Sequence, residues 1–383
     1  MSGSEGVKER SDAWMSVCGE YRIGVFRHDQ VILAELAEGM EPEHPAVREA
    51  LAAFDGRVHV DRVGDAYRVA LVRPLSPPDR PRWWLHALLF VLTTGTVAMA
   101  GALLEGVDPF GAVRGPWGLP LPTRVDVAAL VRGLPFALTL VGILLAHELG
   151  HYFVARRHGV RVSPPFFLPV PAYLSLVGTL GAFIRIRGPI VRRSVLFDIG
   201  IAGPLASFVP SVLALAWGLA HSGVVPGSPL PFTPFLVEFG GEPLHVGTGL
   251  VPQAIAYLWF PMDLGRAPLL MHPVAFAGWV GLFVTALNLM PVGQLDGGHV
   301  LHALSARVQR WSARAFVVSL LPLGFLWWGW WVWAGAVVVL SRGRLRHPPV
   351  ADEDVPLDPV RRGLAVLAVL LLFLTFVPVP LRL

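Results

Sequence analysis

Residues 144–154 read LLAHELGHYFV, and three of them have the types and spacing for metal chemistry. On a helix, His147 and His151 lie four residues apart and project from one face, so two imidazoles can grip one ion while Glu148 sits one position round. Two neutral imidazole nitrogens suit Zn²⁺, which in catalytic sites takes three protein ligands and keeps a fourth position for water. The ion lowers that water's pKa towards neutrality, and Glu148 stands where it can take the proton. Thirteen histidines make a chance pattern conceivable. The surrounding run is apolar, however, and ionisable groups there are costly to bury unless paired, metal-bound or facing a water-filled cavity.

Two histidines need a third ligand. Between His151 and Val350 the acidic residues are Asp198, Glu238, Glu242, Asp263 and Asp296. Glu238, Glu242 and Asp263 fall in a loop expected on the opposite side of the membrane. Asp198 lies near the start of its helix, where it can also serve simply as a helix-terminus charge. Asp296 follows a span that ends on the same side as the histidines, in a glycine-rich context that lets backbone come close to a ligand. His299 and His302 are nearby alternatives. The longer HExxHxxGxxH pattern is excluded, because Val154 and Arg157 occupy its glycine and last histidine positions.

The elements that must hold these residues are membrane helices. The chain is 54% hydrophobic and 15% charged, with a mean hydropathy of +0.58. Soluble domains carry about 25% charge, and several apolar runs approach the roughly 20 residues that cross a bilayer. The net charge is +4, but Lys and Arg gather beside the apolar runs, which suits orientation in a membrane and not nucleic-acid binding. Cys18 is the sole cysteine, which excludes an intramolecular disulfide, a Cys-rich zinc module and a CxxC pair. The N-terminus lacks the basic-then-apolar pattern of a cleavable signal peptide.

Residues 1–80 predict a small soluble α+β domain: strands at 21–26 and 30–34, a helix at 45–54, and a second strand pair at 57–61 and 66–72. The proline-rich piece 74–81 reads as a linker. Residues 81–383 predict the membrane-embedded part. Spans are expected at 83–104, 133–155, 195–220, 273–290 and 364–381, with 316–340 long for one span and short for two, its basic flanks favouring a tight hairpin. His86 is expected at the membrane interface. Residues 164–189, broken by prolines and glycines and then alternating through GAFIRIR, predict a re-entrant β-hairpin or loop lining a cavity. The stretch GIAGPLAS, 200–207, predicts a helix-packing face. Arg156, Arg157, His158 and Arg161 predict a cytoplasmic end for the HExxH span, and with it a cytoplasmic N-terminal domain. The fold class is thus a polytopic α-helical membrane protein with a re-entrant element and a small N-terminal α+β domain.

HELGH at 147–151, AGPLA at 202–206 and NLMPVGQLDGGH at 288–299 together resemble the site-2 protease family of intramembrane zinc metalloproteases, in particular its PDZ-less group with an NLxPxGxLDGG motif. The resemblance covers about residues 130–310, with a weaker echo in HPPVADEDVPLDPVRR at 347–362. It implies that His147, His151 and Asp296 hold one zinc, that Glu148 is the general base, and that Asn288 with Pro291 binds substrate backbone. It also implies that the hairpin offers an edge to an unwound transmembrane substrate within the lipid bilayer. The localisation implied is a prokaryotic inner membrane. A non-proteolytic zinc scaffold is the alternative, and the intact Glu148 argues against it. A membrane transporter would need ionisable groups spread across the bilayer, whereas these sit at one level.

Overall fold

In the computed structural model, residues 13–26, 29–75, 80–111, 113–114, 120–121, 123–124, 126–225, 234–260, 267–340, 350 and 355–382 are described. Part of the predicted linker (76–79) and of the weaker motif echo (347–349, 351–354) lies outside them.

Alternating apolar residues near the N-terminus build an antiparallel sheet of β1 (Cys18–Phe26), β2 (Asp29–Leu36), β3 (Arg57–Val63) and β4 (Ala66–Pro74), in the order β1-β2-β4-β3. Helix α1 (Pro45–Ala52) covers one face. The His44 side chain accepts from the Ala46 amide at its start, and Pro45 pre-sets the first turn. Trp14, Ile32, Val47, Leu51, Val69 and Leu71 form the core between sheet and helix. Because strand side chains alternate, the VALV run of β4 also sends Ala70 and Val72 to the other face, where they meet Val191.

The helices that follow are α2 (Trp83–Leu104), α3 (Val127–Arg132), α4 (Leu134–Arg157), α5 (Arg193–Ala220), α6 (Leu250–Trp259), α7 (Pro273–Leu289), α8 (Asp296–Leu304), α9 (Ala306–Leu326), α10 (Gly329–Leu340) and α11 (Pro359–Thr375). Among the described residues, three helices, α2, α4 and α5, are long and apolar enough to cross a membrane. Helix α5 lies between α4 and α7, and α8 packs on its first turns through Leu196, Ile201, Val300 and Ala303. The short strands β5 (Val113–Arg114) and β6 (Pro120–Leu121) pair between α2 and α3.

Between α4 and α5, strands β7 (Phe166–Pro169) and β8 (Thr179–Phe183) pair antiparallel, as the broken and then alternating sequence predicts. The segment that holds Glu238 and Glu242, expected as a loop, contains strands. There β9 (Gly223–Val224), β10 (Phe235–Phe239), β11 (Glu242–Val246) and β12 (Leu269–Leu270) form a sheet with β13 (Leu381–Arg382), in the order β13-β11-β10-β12-β9. The last helix also differs from expectation. It begins at Pro359 and ends at Thr375, which frees the C-terminal residues to reach Val246 as β13. The predicted hairpin is present as α9 and α10, joined at Trp327–Trp328, but α9 begins ten residues earlier than the apolar run suggests, because a capping Ser305 starts it.

Candidate metal centre

Helix α4 carries His147, Glu148 and His151, all buried. The two Nε2 atoms are 3.0 Å apart, and Asp296 Oδ2 lies 3.1 Å from that of His147 and 3.3 Å from that of His151. An ion bonded tetrahedrally at about 2.0–2.1 Å separates its ligand atoms by about 3.3 Å, so the three atoms already have the spacing of a shared ion. Asp296 Oδ2 is buried without a hydrogen-bond partner among the described residues, a state that a bound cation would satisfy. Among the described residues, this trio is the group that could hold a metal ion.

Asp296 reaches the trio because α7 ends at Leu289 and a tight turn starts α8 at Asp296 itself. Gly297 allows the approach, since a Cβ there would lie 1.9 Å from the Leu289 carbonyl oxygen. The imidazoles are aimed by α5. His151 Nδ1 donates to the Ile199 carbonyl at 2.7 Å, which leaves Nε2 as the free lone pair. His147 Nδ1 lies 3.1 Å from Ser207 Oγ, and Ser207 Oγ is 3.1 Å from Thr285 Oγ1 on α7. Gly203 makes room, because a Cβ on it would fall 2.1 Å from His151 Nε2. The GIAGPLAS stretch is therefore a packing face, as expected, and also the support of His147 through Ser207 and the space for His151 at Gly203. Sequence reasoning missed Ile199, Ser207 and Thr285, which act from other helices and bear no spacing signal of their own.

Strand β8 packs against α4, and the Ile184 backbone just beyond it lies close to the Glu148 carboxylate, so the hairpin reaches the site. The Asn288 amide nitrogen lies 3.3 Å from His147 Nε2, and Pro291 is buried in the turn that follows. The other candidates are elsewhere. Asp198 pairs with Arg361 at 2.6 and 2.7 Å and with His158 at 3.0 Å, a structural role. Glu238 and Glu242 belong to the sheet of β10 and β11, and Asp263 lies outside the described residues. His299 and His302 sit further along α8 and outside the trio. His86 is buried, with Nδ1 2.9 Å from the Pro165 carbonyl and its ring against Phe166, and it takes no part in the trio.

Probable zinc metalloprotease EGY1, chloroplastic, is 31% identical over 331 residues in Arabidopsis thaliana, covering 81% of this chain and 56% of the relative. The Oryza sativa subsp. japonica protein of that name is 29% identical over 327 residues, 80% and 53% respectively. Probable zinc metallopeptidase EGY3, chloroplastic, from Arabidopsis thaliana is 28% identical over 345 residues, 81% and 53%. The chain spans about half the length of these curated relatives. No solved structure matches. All three relatives are named as chloroplastic plant proteins, which overturns the expectation of a prokaryotic inner membrane with a cytoplasmic N-terminal domain. The model of peptidase family M50 matches residues 135–326. Half the chain, including the HExxH helix and Asp296, lies within that match, and the chain belongs to peptidase family M50.

Proposed function

We propose that this chain is an intramembrane zinc metalloprotease that hydrolyses peptide bonds in or near the transmembrane segments of membrane-protein substrates. The observation that carries the reading is the convergence of His147 Nε2, His151 Nε2 and Asp296 Oδ2 beside a buried glutamate. These three residues would hold one Zn²⁺. The names of the relatives favour zinc among the divalent ions that two histidines and a carboxylate can bind.

Zinc bound there would supply a Lewis acid for the scissile carbonyl and lower the pKa of the attacking water. Glu148 takes a proton from that water as its oxygen adds to the carbonyl carbon, and returns it to the nitrogen as the C–N bond breaks. Asn288 is near enough to donate to a substrate carbonyl, with Pro291 fixing the turn beside it.

A helical substrate hides its carbonyls in its own hydrogen bonds, so cleavage requires a locally extended segment. The outer edge of β8 can pair with one, and the Ile184 backbone close to Glu148 favours this edge. In this reading the β7–β8 hairpin is a re-entrant element, shielded from lipid by protein. Exposed apolar side chains such as Leu138, Leu213 and Phe373 suit a polytopic chain with lipid around it. Residues 1–80 form a soluble α+β domain and residues 81–383 the membrane-embedded domain, with its core at about 130–310. A zinc scaffold without activity is the second reading, and the buried Glu148 beside the trio counts against it.

The test pairs zinc per chain with cleavage of single-span substrates, for wild type and Glu148→Gln in detergent. Stoichiometric zinc in both is expected, with cleavage in the variant reduced by roughly 10²–10⁴-fold. Zinc in both and cleavage in neither would favour the scaffold, and absence of zinc from the wild type would overturn the ligand assignment.

A further inference from the structure

The β7–β8 hairpin is the far end of a longer ribbon. The Arg161 carbonyl accepts from the Arg187 and Gly188 amides, Val162 bridges Ile186, and the Ser163 amide donates to the Arg185 carbonyl. Pairing then continues through Phe166–Phe183 and Phe167–Ala182. The first strand is held by α2, through His86 at the Pro165 carbonyl and Phe90 against Phe167. The ribbon reaches Glu148 through Ile184. A two-stranded ribbon is marginal by itself, so its alignment depends on what grips its base.

The N-terminal sheet grips that base on both strands. The Arg57 guanidinium on β3 donates to the Gly159 carbonyl, just before the ribbon. Asp29 on β2 pairs with Arg161, on its first strand, and the carboxylate is 1% exposed. Asp61 on β3 pairs with Arg192, just after the second strand. Between these contacts Val191 is seated on Ala70 and Val72, with Val31 and Leu33 beside them. All three polar contacts cross from one sheet to the two ends of one ribbon, and Ile184 at Glu148 lies between those ends in the chain. The Gly159 contact and the Arg192 pair hold the flanks, while the Arg161 pair holds the paired register itself.

We infer that Asp29, Arg57 and Asp61 are positioning residues: the N-terminal sheet holds the ribbon in register with Glu148 and so sets how an extended substrate lies along β8. The substrate half of this inference rests on the proteolytic reading above. The ribbon half does not. A substrate pairing with a misaligned edge binds weakly or presents the wrong bond, while the zinc ligands on α4 and α8 are untouched.

The experiment compares wild type, Asp29→Asn/Asp61→Asn, Asp61→Asn alone and the charge swap Asp61→Arg/Arg192→Asp in the full-length protein. Three quantities are read: amide hydrogen exchange across residues 159–192, zinc per chain, and the KM and kcat for a single-span substrate. The double variant should exchange about tenfold faster in the ribbon, keep its zinc, and raise KM about tenfold with kcat nearly unchanged. The swap, at a partly exposed pair, should return ribbon exchange from that of Asp61→Asn alone towards wild type and guards against a double variant that fails to fold. Unchanged ribbon exchange in a folded double variant overturns the inference, as does faster exchange with unaltered KM and cleavage site. If wild type cleaves nothing, the proteolytic reading fails, and the exchange comparison still decides whether the sheet holds the ribbon.

Discussion

Ser207 Oγ decides which nitrogen of His147 carries its proton. It accepts from Nδ1 and passes its own hydrogen to the Gly203 carbonyl, 3.1 Å away, so Nε2 is left to face Asp296. Supporting hydrogen bonds of this kind are worth about 10–100-fold in metal affinity. Ser207→Ala should therefore weaken zinc binding by about 10–100-fold in a chelator competition, with helix content unchanged by circular dichroism. Equal affinity would reduce the serine to a space-filler. The two histidines were legible because helical periodicity alone puts residues four apart on one face. Ser207 was not, since it acts across sixty positions of sequence from a neighbouring helix. At this scale a motif reveals the atoms that meet a ligand, and only the packed helices reveal the atoms that aim them.

Helix α8 joins the site to the stability of the surrounding fold. Asp296 opens it and His302 lies in its last turn, buried beside Ala303. Burial is the largest cause that pushes the His302 pKa down to about 4, and the nearby Arg193, His299 and Arg310 push the same way. The folded chain thus binds this proton less tightly than the unfolded one, whose histidine has its ordinary pKa of 6.5. Stability from this group is complete above about pH 6.5 and is lost as the pH falls towards about 4. Thermal unfolding measured from pH 7.5 to 4 should fall on the acid side for wild type, and His302→Gln should flatten that fall. An identical slope in the variant would assign the acid loss to other groups. Among the elements, α2 was legible to the residue, because an arginine and a tryptophan pair mark the entry to an uninterrupted apolar run. The sheet of β9 to β13 was not, because three of its members, β9, β12 and β13, are two residues long and pair with strands distant in sequence. Strands so short have no periodicity to detect, and long-range pairing supplies their definition.

Across the whole molecule, one charged cluster ties together the end of α4, the start of α5 and the start of α11. Asp198 on α5 accepts a two-pronged contact from Arg361 at 2.7 and 2.6 Å and faces His158, which caps α4, at 3.0 Å. Arg361 also holds Asp358, whose side chain accepts from the Arg361 amide and starts α11. The sequence offered Asp198 as a helix-terminus charge and Arg361 only within a weaker motif echo, because the partners of Asp198 lie 40 and 163 positions away. Their pairing is what brings the C-terminal helix against α5, where Leu196, Ala365 and Ala368 share a core. Arg361→Ala would leave Asp198 partly buried with His158 as its remaining side-chain contact in this cluster. Charge-assisted hydrogen bonds of this geometry contribute about 1.5–3 kcal/mol, so a stability loss of that size is expected in detergent unfolding. Arg361→Lys should recover less than half of it, because an ammonium cannot reproduce the planar fork. Zinc content should be unchanged in both variants, since the cluster bonds none of the three ligands. A loss of zinc with little loss of stability would mean that α11 aligns the metal centre itself and does not merely brace the bundle around it.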